Sequence, residues 1–171
     1  CLAAPALPQA VALELNGDGV SLRHSGLTKE MCAETGAKQD IGASLLAPWT
    51  PVFATGEVQV PRDASMFAFA CLAAKAVGVS VNMGQLPEAN DALGHEVLHD
   101  LLPSLGLNLI GTTLSPGQKG SHQTIDLRNA NDLITPLAAI LALGQGGVIV
   151  GAMHAAYKET DRTVGTVNLL K

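Results

Sequence analysis

The chain has 171 residues, of which 47% are hydrophobic, 15% charged and 3% aromatic. This composition excludes a disordered chain, which needs the opposite balance, and it predicts a packed interior of aliphatic side chains. The net charge is −5 and the ten Lys and Arg residues are scattered, so nucleic acid is not expected as a partner. No apolar run reaches the roughly 18 residues of a membrane span, so no membrane partner is expected either.

The cysteine pattern favours a reducing compartment. Cys1, Cys32 and Cys71 are widely spaced and odd in number, which argues against a disulfide framework. Cys71 lies in an apolar run, where a buried thiol is the ordinary interpretation. Because no basic region precedes the first apolar residues, we also expect no secretory signal and a cytoplasmic protein. A chain that starts at Cys1 and not at Met is expected to be processed, cut or part of something longer.

The first half of the chain mixes strand and helix patterns. Turn signals and hydrophobic periodicity predict, in order, a strand at 12–15, a helix at 28–35, extended structure at 52–60, a helix at 64–76 and a strand at 79–83. Asp63 is a good N-cap for the second helix, and Gly78 would end it.

The second half alternates more regularly. The predicted elements are a helix at 91–105, strands at 107–111 and 123–127, a helix at 132–143, a strand at 148–153 and a helix at 158–170. The two strands in the middle are separated by a connection rich in Gly, Ser and Pro, and Asp132 is expected to cap the helix that follows. Alternating strands and helices predict an α/β fold with some parallel pairing.

The helix at 91–105 contains an H-E-x-x-H motif formed by His95, Glu96 and His99. On a helix this spacing places two imidazoles one turn apart beside a carboxylate, as in zinc peptidases. A third ligand in the expected helical context is missing, although His122 and Asp126 are available. The apolar residues of the same segment form one face that is typical of a helix packed on a core: Val97, Leu98, Leu101, Leu102 and Leu105. We favour the core helix and keep a zinc metallohydrolase as an alternative.

The segment "KETDR", from Lys158 to Arg162, is the most charged stretch of a sparsely charged chain. Taken alone, it is compatible with the solvated start of a helix, where acidic residues are favoured. It follows a small-residue helix headed by Asp132 in "NDLITPLAAILALGQGG", and a similar helix follows Asp63 in "RDASMFAFACLAAKAVG". Two further segments are "SGLTKEM" at 25–31 and "DLLPSLG" at 100–106.

This order of motifs resembles the 5-enolpyruvylshikimate-3-phosphate synthases of the enolpyruvyl transferase family. Their K-E-[ST]-D-R segment is its most specific element, and the sister enzyme acting on UDP-N-acetylglucosamine lacks it. The resemblance runs from about Ser25 to Lys171. It implies an inside-out α/β barrel built from βαβαββ units, present here as a partial fold, with 1–59 as the trailing part of one domain and 60–171 as about half of the second. Because family members are more than twice as long, we expect a fragment, completed by the remaining part of the same enzyme.

The resemblance implies transfer of an enolpyruvyl group from phosphoenolpyruvate to shikimate 3-phosphate with release of phosphate, a step of aromatic amino-acid biosynthesis. It assigns Asp132 as the base, Lys158 as the contact to the hydroxyl and Glu159 as a proton-transfer partner. It also implies that Arg162 grips the phosphoenolpyruvate carboxylate and that Ser25 contacts the 3-phosphate. No metal and no organic cofactor are implied.

The sequence departs from the family pattern at several positions. His154, Ala155 and Ala156 stand where the family usually has N-x-R, so His154 takes the place of a substrate-contacting amide and an arginine is missing. Arg62 replaces a glycine and Met66 a serine. These departures leave a second interpretation open, in which the chain is a non-catalytic relative that binds a ligand or a partner.

Overall fold

The computed structural model describes residues 4–12, 23–37, 45–52, 56–57, 62–87 and 95–171. The chain divides into two compact units, Cys1–Val60 and Pro61–Lys171. Their assignment to the two domains of the family stays a prediction. Among the described residues, no helix combines the length and the apolar character needed to cross a membrane.

The first unit contains short elements. They are a 3₁₀ helix at Ala4–Ala6, strand β1 at Val11–Ala12, helix α1 at Arg23–Glu34 and strand β2 at Leu45–Leu46. Strands β1 and β2 pair antiparallel. The predicted helix at 28–35 is confirmed but begins earlier, and Gly36 follows it with a φ of 102°. The strand predicted at 12–15 lies mostly outside the described residues, as does much of the extended segment predicted at 52–60.

The second unit carries most of the described structure. Its elements are α2 (Ala64–Val77), β3 (Val81–Asn82), α3 (His95–Leu101), β4 (Leu107–Ile110), β5 (Thr113–Pro116), β6 (Gln123–Asp126), a 3₁₀ helix (Asn131–Leu133), α4 (Ile134–Ala142), β7 (Gly147–Val150), a second 3₁₀ helix (Met153–Tyr157) and α5 (Arg162–Leu169).

Helix α2 has the caps that its sequence predicts. The Asp63 carboxylate accepts a hydrogen bond from the Ser65 amide at 2.8 Å, and Gly78 ends the helix with a φ of 74°. A left-handed residue at this position favours glycine, because a Cβ would strain the backbone. Cys71, in the middle of the helix, is fully buried, and this burial raises the pKa of its thiol to about 12. The predicted buried thiol is therefore confirmed.

Two sheets organise the described part of the second unit. Strands β3, β5 and β4 form an antiparallel sheet in that order, while β6 and β7 pair in parallel. The parallel pair, joined through α4, confirms the predicted mixed α/β character; no closed barrel is found in the described part of the chain. Strand β5 was not predicted, because it lies in the connection rich in Gly, Ser and Pro. Its single buried residue, Leu114, gives little strand signal.

The core of the second unit lies between its helices and sheets. Phe67 of α2, Leu98 of α3 and Leu137 of α4 are all buried in one apolar cluster. Burial of each leucine side chain contributes roughly 1.5–3 kcal/mol to folding. Leu98 and Leu102 are almost completely inaccessible and His99 is exposed, so the apolar face predicted for this helix is confirmed. The helix ends at Leu101, before Pro103, which has no amide hydrogen for a helical bond.

Two predicted helix starts are wrong. Helix α4 begins at Ile134, two residues after Asp132, which lies within the preceding 3₁₀ helix and whose carboxylate pairs with two cations. Helix α5 begins at Arg162 and not at residue 158, since Lys158 is extended with a φ of −78° and a ψ of −170°. Its N-cap is Asp161, whose carboxylate accepts hydrogen bonds from the Thr163 and Val164 amides at 3.0 Å.

Candidate functional site

The candidate site lies on the segments that leave the parallel pair of strands. Asp126 and Val150 are paired at the carboxyl ends of β6 and β7. Because the strands run in the same direction, the segments that follow them start at the same edge of the sheet. One segment leads to Asp132 and the other to Lys158. Two residues that are 26 positions apart in sequence therefore lie on segments that leave the same edge of the sheet.

Asp132 stands between two cations. Its Oδ1 accepts a hydrogen bond from Nη1 of Arg162 and lies 3.8 Å from Nζ of Lys158. The three side chains are 27–30% exposed, so the ion pairs are partly shielded from water. The hydrogen bond with Asp132 raises the pKa of the Arg162 guanidinium above its ordinary value. The structure thus brings together three residues that the sequence singled out.

Glu159 forms a charged group with Asp132, Lys158 and Arg162 and lies on its solvent side. Its Oε2 lies 3.3 Å from Nη2 of Arg162, and its side chain is 76% exposed. A hydrogen bond to its own backbone, followed by the charge of Arg162, holds the pKa of Glu159 below its ordinary value. The carboxylate is therefore ionised at neutral pH, and both terminal nitrogens of Arg162 have a carboxylate partner.

The positions of these side chains depend on residues that the sequence analysis missed. Asp161 fixes the start of α5, and hence Arg162, by capping the helix. The Thr135 and Thr166 hydroxyls are 2.8 Å apart and tie α4 to α5. An Asp directly before a helical segment is a recognisable cap signal and could have placed the start of α5 correctly. The threonine pair has no such signal, because it depends on how two helices pack.

His154 lies in the 3₁₀ helix Met153–Tyr157, which packs beside the one that carries Asp132. Its Nε2 is buried and makes no hydrogen bond with any described residue. A buried polar atom without a partner is costly unless a ligand or a water satisfies it. The assignment of His154 to substrate binding stays a prediction.

Ser25 lies in α1 of the first unit, and its side chain is outside the described residues. Its role as a contact to a phosphate stays a prediction.

The H-E-x-x-H motif does not gather a ligand set among the described residues. Helix α3 carries it, with Glu96 half-buried and His99 exposed, while the side chain of His95 is not among those described. No group of three or more His, Cys, Asp and Glu residues that could hold a metal ion occurs in the described ranges. Asp126, one of the candidate third ligands, instead accepts a hydrogen bond from the Arg128 amide at 2.8 Å.

The charged group combines functions that an acid–base reaction on anionic compounds requires. A guanidinium can bind a carboxylate or phosphate through two parallel hydrogen bonds, and an ammonium adds a point charge. A carboxylate beside them can accept a proton from a hydroxyl group. Asp132, Lys158 and Arg162 supply these three elements from separate segments of the fold.

Two known proteins are similar to the chain, whereas no protein-family model matches it. A 3-phosphoshikimate 1-carboxyvinyltransferase of Methanococcoides burtonii is 26% identical over an alignment 171 residues long, gaps included. The alignment covers 94% of this chain and 40% of the relative. A 3-phosphoshikimate 1-carboxyvinyltransferase of Methanocorpusculum labreanum is 33% identical over 127 residues, which cover 70% of this chain and 29% of the relative.

The chain thus spans less than half the length of these curated relatives. The resemblance indicated by the KETDR segment and the small-residue helices is confirmed, together with its partial extent. The chain is similar to a part of these two 3-phosphoshikimate 1-carboxyvinyltransferases.

Proposed function

We propose that the chain is part of a 3-phosphoshikimate 1-carboxyvinyltransferase, a transferase of aromatic amino-acid biosynthesis. The observation that supports this proposal is the meeting of Asp132, Lys158 and Arg162 around one carboxylate oxygen. The similarity to two enzymes of that name supports it independently. The substrates would be phosphoenolpyruvate and shikimate 3-phosphate.

The reaction replaces the phosphate of phosphoenolpyruvate with the 5-hydroxyl oxygen of shikimate 3-phosphate. The hydroxyl loses its proton and its oxygen adds to the central carbon of phosphoenolpyruvate, while the methylene carbon gains a proton. The resulting methyl group then loses a proton and phosphate leaves, which restores the double bond. Each half of this sequence needs a proton acceptor and a proton donor.

Asp132 is the proposed acceptor for the hydroxyl proton. Lys158, with Nζ 3.8 Å from the Asp132 carboxylate, would contact the same hydroxyl and neutralise the charge that develops on its oxygen. Glu159 is the proposed partner in proton transfer at the methylene carbon. It is a carboxylate at neutral pH, which is the form that accepts a proton in the elimination.

Arg162 is the proposed site for the phosphoenolpyruvate carboxylate. Its two terminal nitrogens could bind two carboxylate oxygens at once, and its place at the start of α5 fixes the direction of the side chain. His154 would contact shikimate 3-phosphate, and Ser25 would bind its 3-phosphate.

The wider setting of the site is also a proposal. The mixed α/β architecture is compatible with a partial inside-out barrel, and the remaining part of the same enzyme would be the partner that completes it. A location in the cytoplasm fits the two described cysteines, Cys32 and Cys71, which are both free.

Calorimetric titration with shikimate 3-phosphate tests the proposal directly. We expect binding to the chain and at least a tenfold loss of affinity in Asp132→Ala and in Lys158→Ala, since each removes a group that faces the ligand. Lys119→Ala is a matched control, because it removes the same charge from an exposed loop position. Equal affinities for the Lys158 and Lys119 variants would contradict the site assignment.

Phosphate release on mixing the chain with both substrates is the second readout. Release that is lost in Asp132→Ala would assign the complete reaction to these residues. Binding without release would fit both a chain that needs the remaining part of the enzyme and the second candidate function, a non-catalytic binding protein. The specific observation behind that candidate is Ala156, which stands where the family has an arginine.

A further inference from the structure

Arg162 is shared between two carboxylates of its own chain. Nη1 donates to Oδ1 of Asp132, and Nη2 lies 3.3 Å from Oε2 of Glu159. The two nitrogens that would form a fork with an incoming carboxylate are therefore both engaged. Each of these nitrogens carries two hydrogens, so an incoming carboxylate would share the guanidinium with the two internal partners and compete with them for its donors.

The charged group is neutral as a whole. Asp132 and Glu159 contribute two negative charges, and Lys158 and Arg162 two positive charges. An anion that approaches this group meets cations already compensated by carboxylates. The internal carboxylates therefore reduce its affinity for the group, although the cations are correctly placed.

We infer that Asp132 and Glu159 are internal competitors for Arg162, and that an anionic substrate carboxylate displaces them. The inference rests on the proposed function, which places the phosphoenolpyruvate carboxylate at Arg162. Displacement separates Asp132 from Arg162, while Lys158 stays beside it.

The two competitors are not equal. Asp132 is only 30% exposed and sits on a 3₁₀ helix whose flanking residues, Asn131 and Leu133, are buried. Glu159 is 76% exposed and its contact with Arg162 is looser. Water and salt weaken the exposed pair more than the shielded one, so Asp132 is the stronger competitor.

Titration of the chain with phosphoenolpyruvate alone measures this competition. Asp132→Asn keeps the shape of the side chain and removes its charge. We expect this variant to bind phosphoenolpyruvate about threefold to tenfold more tightly than the wild type, and Glu159→Gln to show a smaller gain. Asp100→Asn removes the same charge from an exposed position on α3 and is expected to change the affinity less than either.

The affinity for shikimate 3-phosphate should change in the opposite direction to the affinity for phosphoenolpyruvate. Loss of a negative charge would in general strengthen the binding of any anion. We nevertheless expect Asp132→Asn to weaken the binding of shikimate 3-phosphate, because the variant loses the contact with its hydroxyl. A tighter complex with phosphoenolpyruvate and a weaker one with shikimate 3-phosphate would support the competition. A phosphoenolpyruvate affinity in Asp132→Asn that equals or falls below that of the wild type would overturn it.

Arg162→Ala separates this inference from the proposed function. If the substitution leaves phosphoenolpyruvate binding unchanged, or if no variant binds phosphoenolpyruvate, the proposed function and the competition both fail. If Arg162→Ala weakens binding and Asp132→Asn does not strengthen it, the competition alone fails. Thermal unfolding of each variant, compared with the wild type, verifies that the folded protein is being titrated.

Discussion

Helix α3 and the KETDR segment each carry a motif associated with catalysis, and their surroundings differ. On α3, the residue types of a zinc site stand on a short helix whose buried residues belong to the core, and His99 faces solvent. In the KETDR segment, Lys158 and Arg162 meet a carboxylate from a distant element, Asp132. The second motif is completed by the fold, whereas the described residues around the first contain no metal-binding group.

The difference shows what turns a short motif into a candidate site. The spacing of H-E-x-x-H is satisfied by any amphipathic helix with polar residues beside its apolar face. The meeting of Asp132 with Arg162 requires a parallel strand pair, two 3₁₀ turns and the packing of α4 on α5. Convergence of complementary charges from separate elements is therefore a stronger indication of function than spacing within one helix.

The largest expected effect is a loss of stability that tests whether α3 packs in the core. Leu98 is completely buried in the apolar cluster, so Leu98→Ala should lower the free energy of unfolding by about 3 kcal/mol through lost burial and the cavity left behind. His99→Gln, one position along the same helix, should change it by about 0.5 kcal/mol or less, because the side chain is exposed. Urea unfolding of both variants measures the difference.

Zinc provides the complementary control on α3. Added zinc should leave the Tm of the wild type unchanged within error, because a ligand that binds the native state would raise it. A rise in Tm that disappears in His99→Gln would instead establish a metal site on this helix and reverse the comparison.

The next effect concerns Arg162. Arg162→Lys keeps the charge but replaces the planar fork with a single ammonium, so the affinity for phosphoenolpyruvate should fall about tenfold. Isothermal calorimetry measures the change, and His99→Gln serves as the variant in which no change is expected. A lysine variant that binds as tightly as the wild type would mean that charge alone, without the fork, holds the ligand.

A smaller effect is expected from the helix cap that positions Arg162. Asp161→Ala removes the acceptor for the Thr163 and Val164 amides and should cost about 1 kcal/mol of stability. Asp161→Asn retains a good capping side chain and should lose only a few tenths. If both variants are equally destabilised, the charge of Asp161 and not its capping bond would be the stabilising factor. Thermal unfolding distinguishes these results.

Much of the fold follows from local signals in the sequence. Asp63 and Gly78 define α2, and the apolar face of α3 defines its buried side, because caps and periodicity depend on residues close in sequence. Strand β5 could not be predicted in this way. Its turn-rich sequence carries little strand signal, and pairing with β3 and β4 determines its conformation.

The site was predictable only in part. The resemblance identified Asp132, Lys158 and Arg162 as candidates, but local patterns placed the start of one helix at Asp132 and of another at Lys158. The two helices begin later, at Ile134 and Arg162. The misplaced start of α5 has a local cause, because the cap signal of Asp161 was overlooked. The misplaced Asp132 has a tertiary cause. A carboxylate can accept a hydrogen bond from a backbone amide or pair with a cation. Only the tertiary structure brings the guanidinium of Arg162 close enough to pair with Asp132.

The smallest expected effect concerns the pH dependence of stability at Glu159. A bond to its own backbone and the charge of Arg162 hold its pKa below the ordinary value of about 4.3 in the folded chain. A carboxyl group with a lowered pKa stabilises the fold when ionised. Its contribution is therefore fully present above the unfolded pKa and is lost as the pH falls through the folded pKa.

Glu159→Gln removes this contribution. The Tm of the wild type should thus exceed that of the variant at pH 7, and the difference should shrink as the pH falls below about 4. Other carboxylates titrate in both proteins and cancel in the difference. Because Glu159 is largely exposed, the difference at pH 7 should also decrease with added salt. A difference that stays constant with pH would show that Glu159 acts through packing and not through its charge on Arg162, which would weaken its proposed role as a competitor.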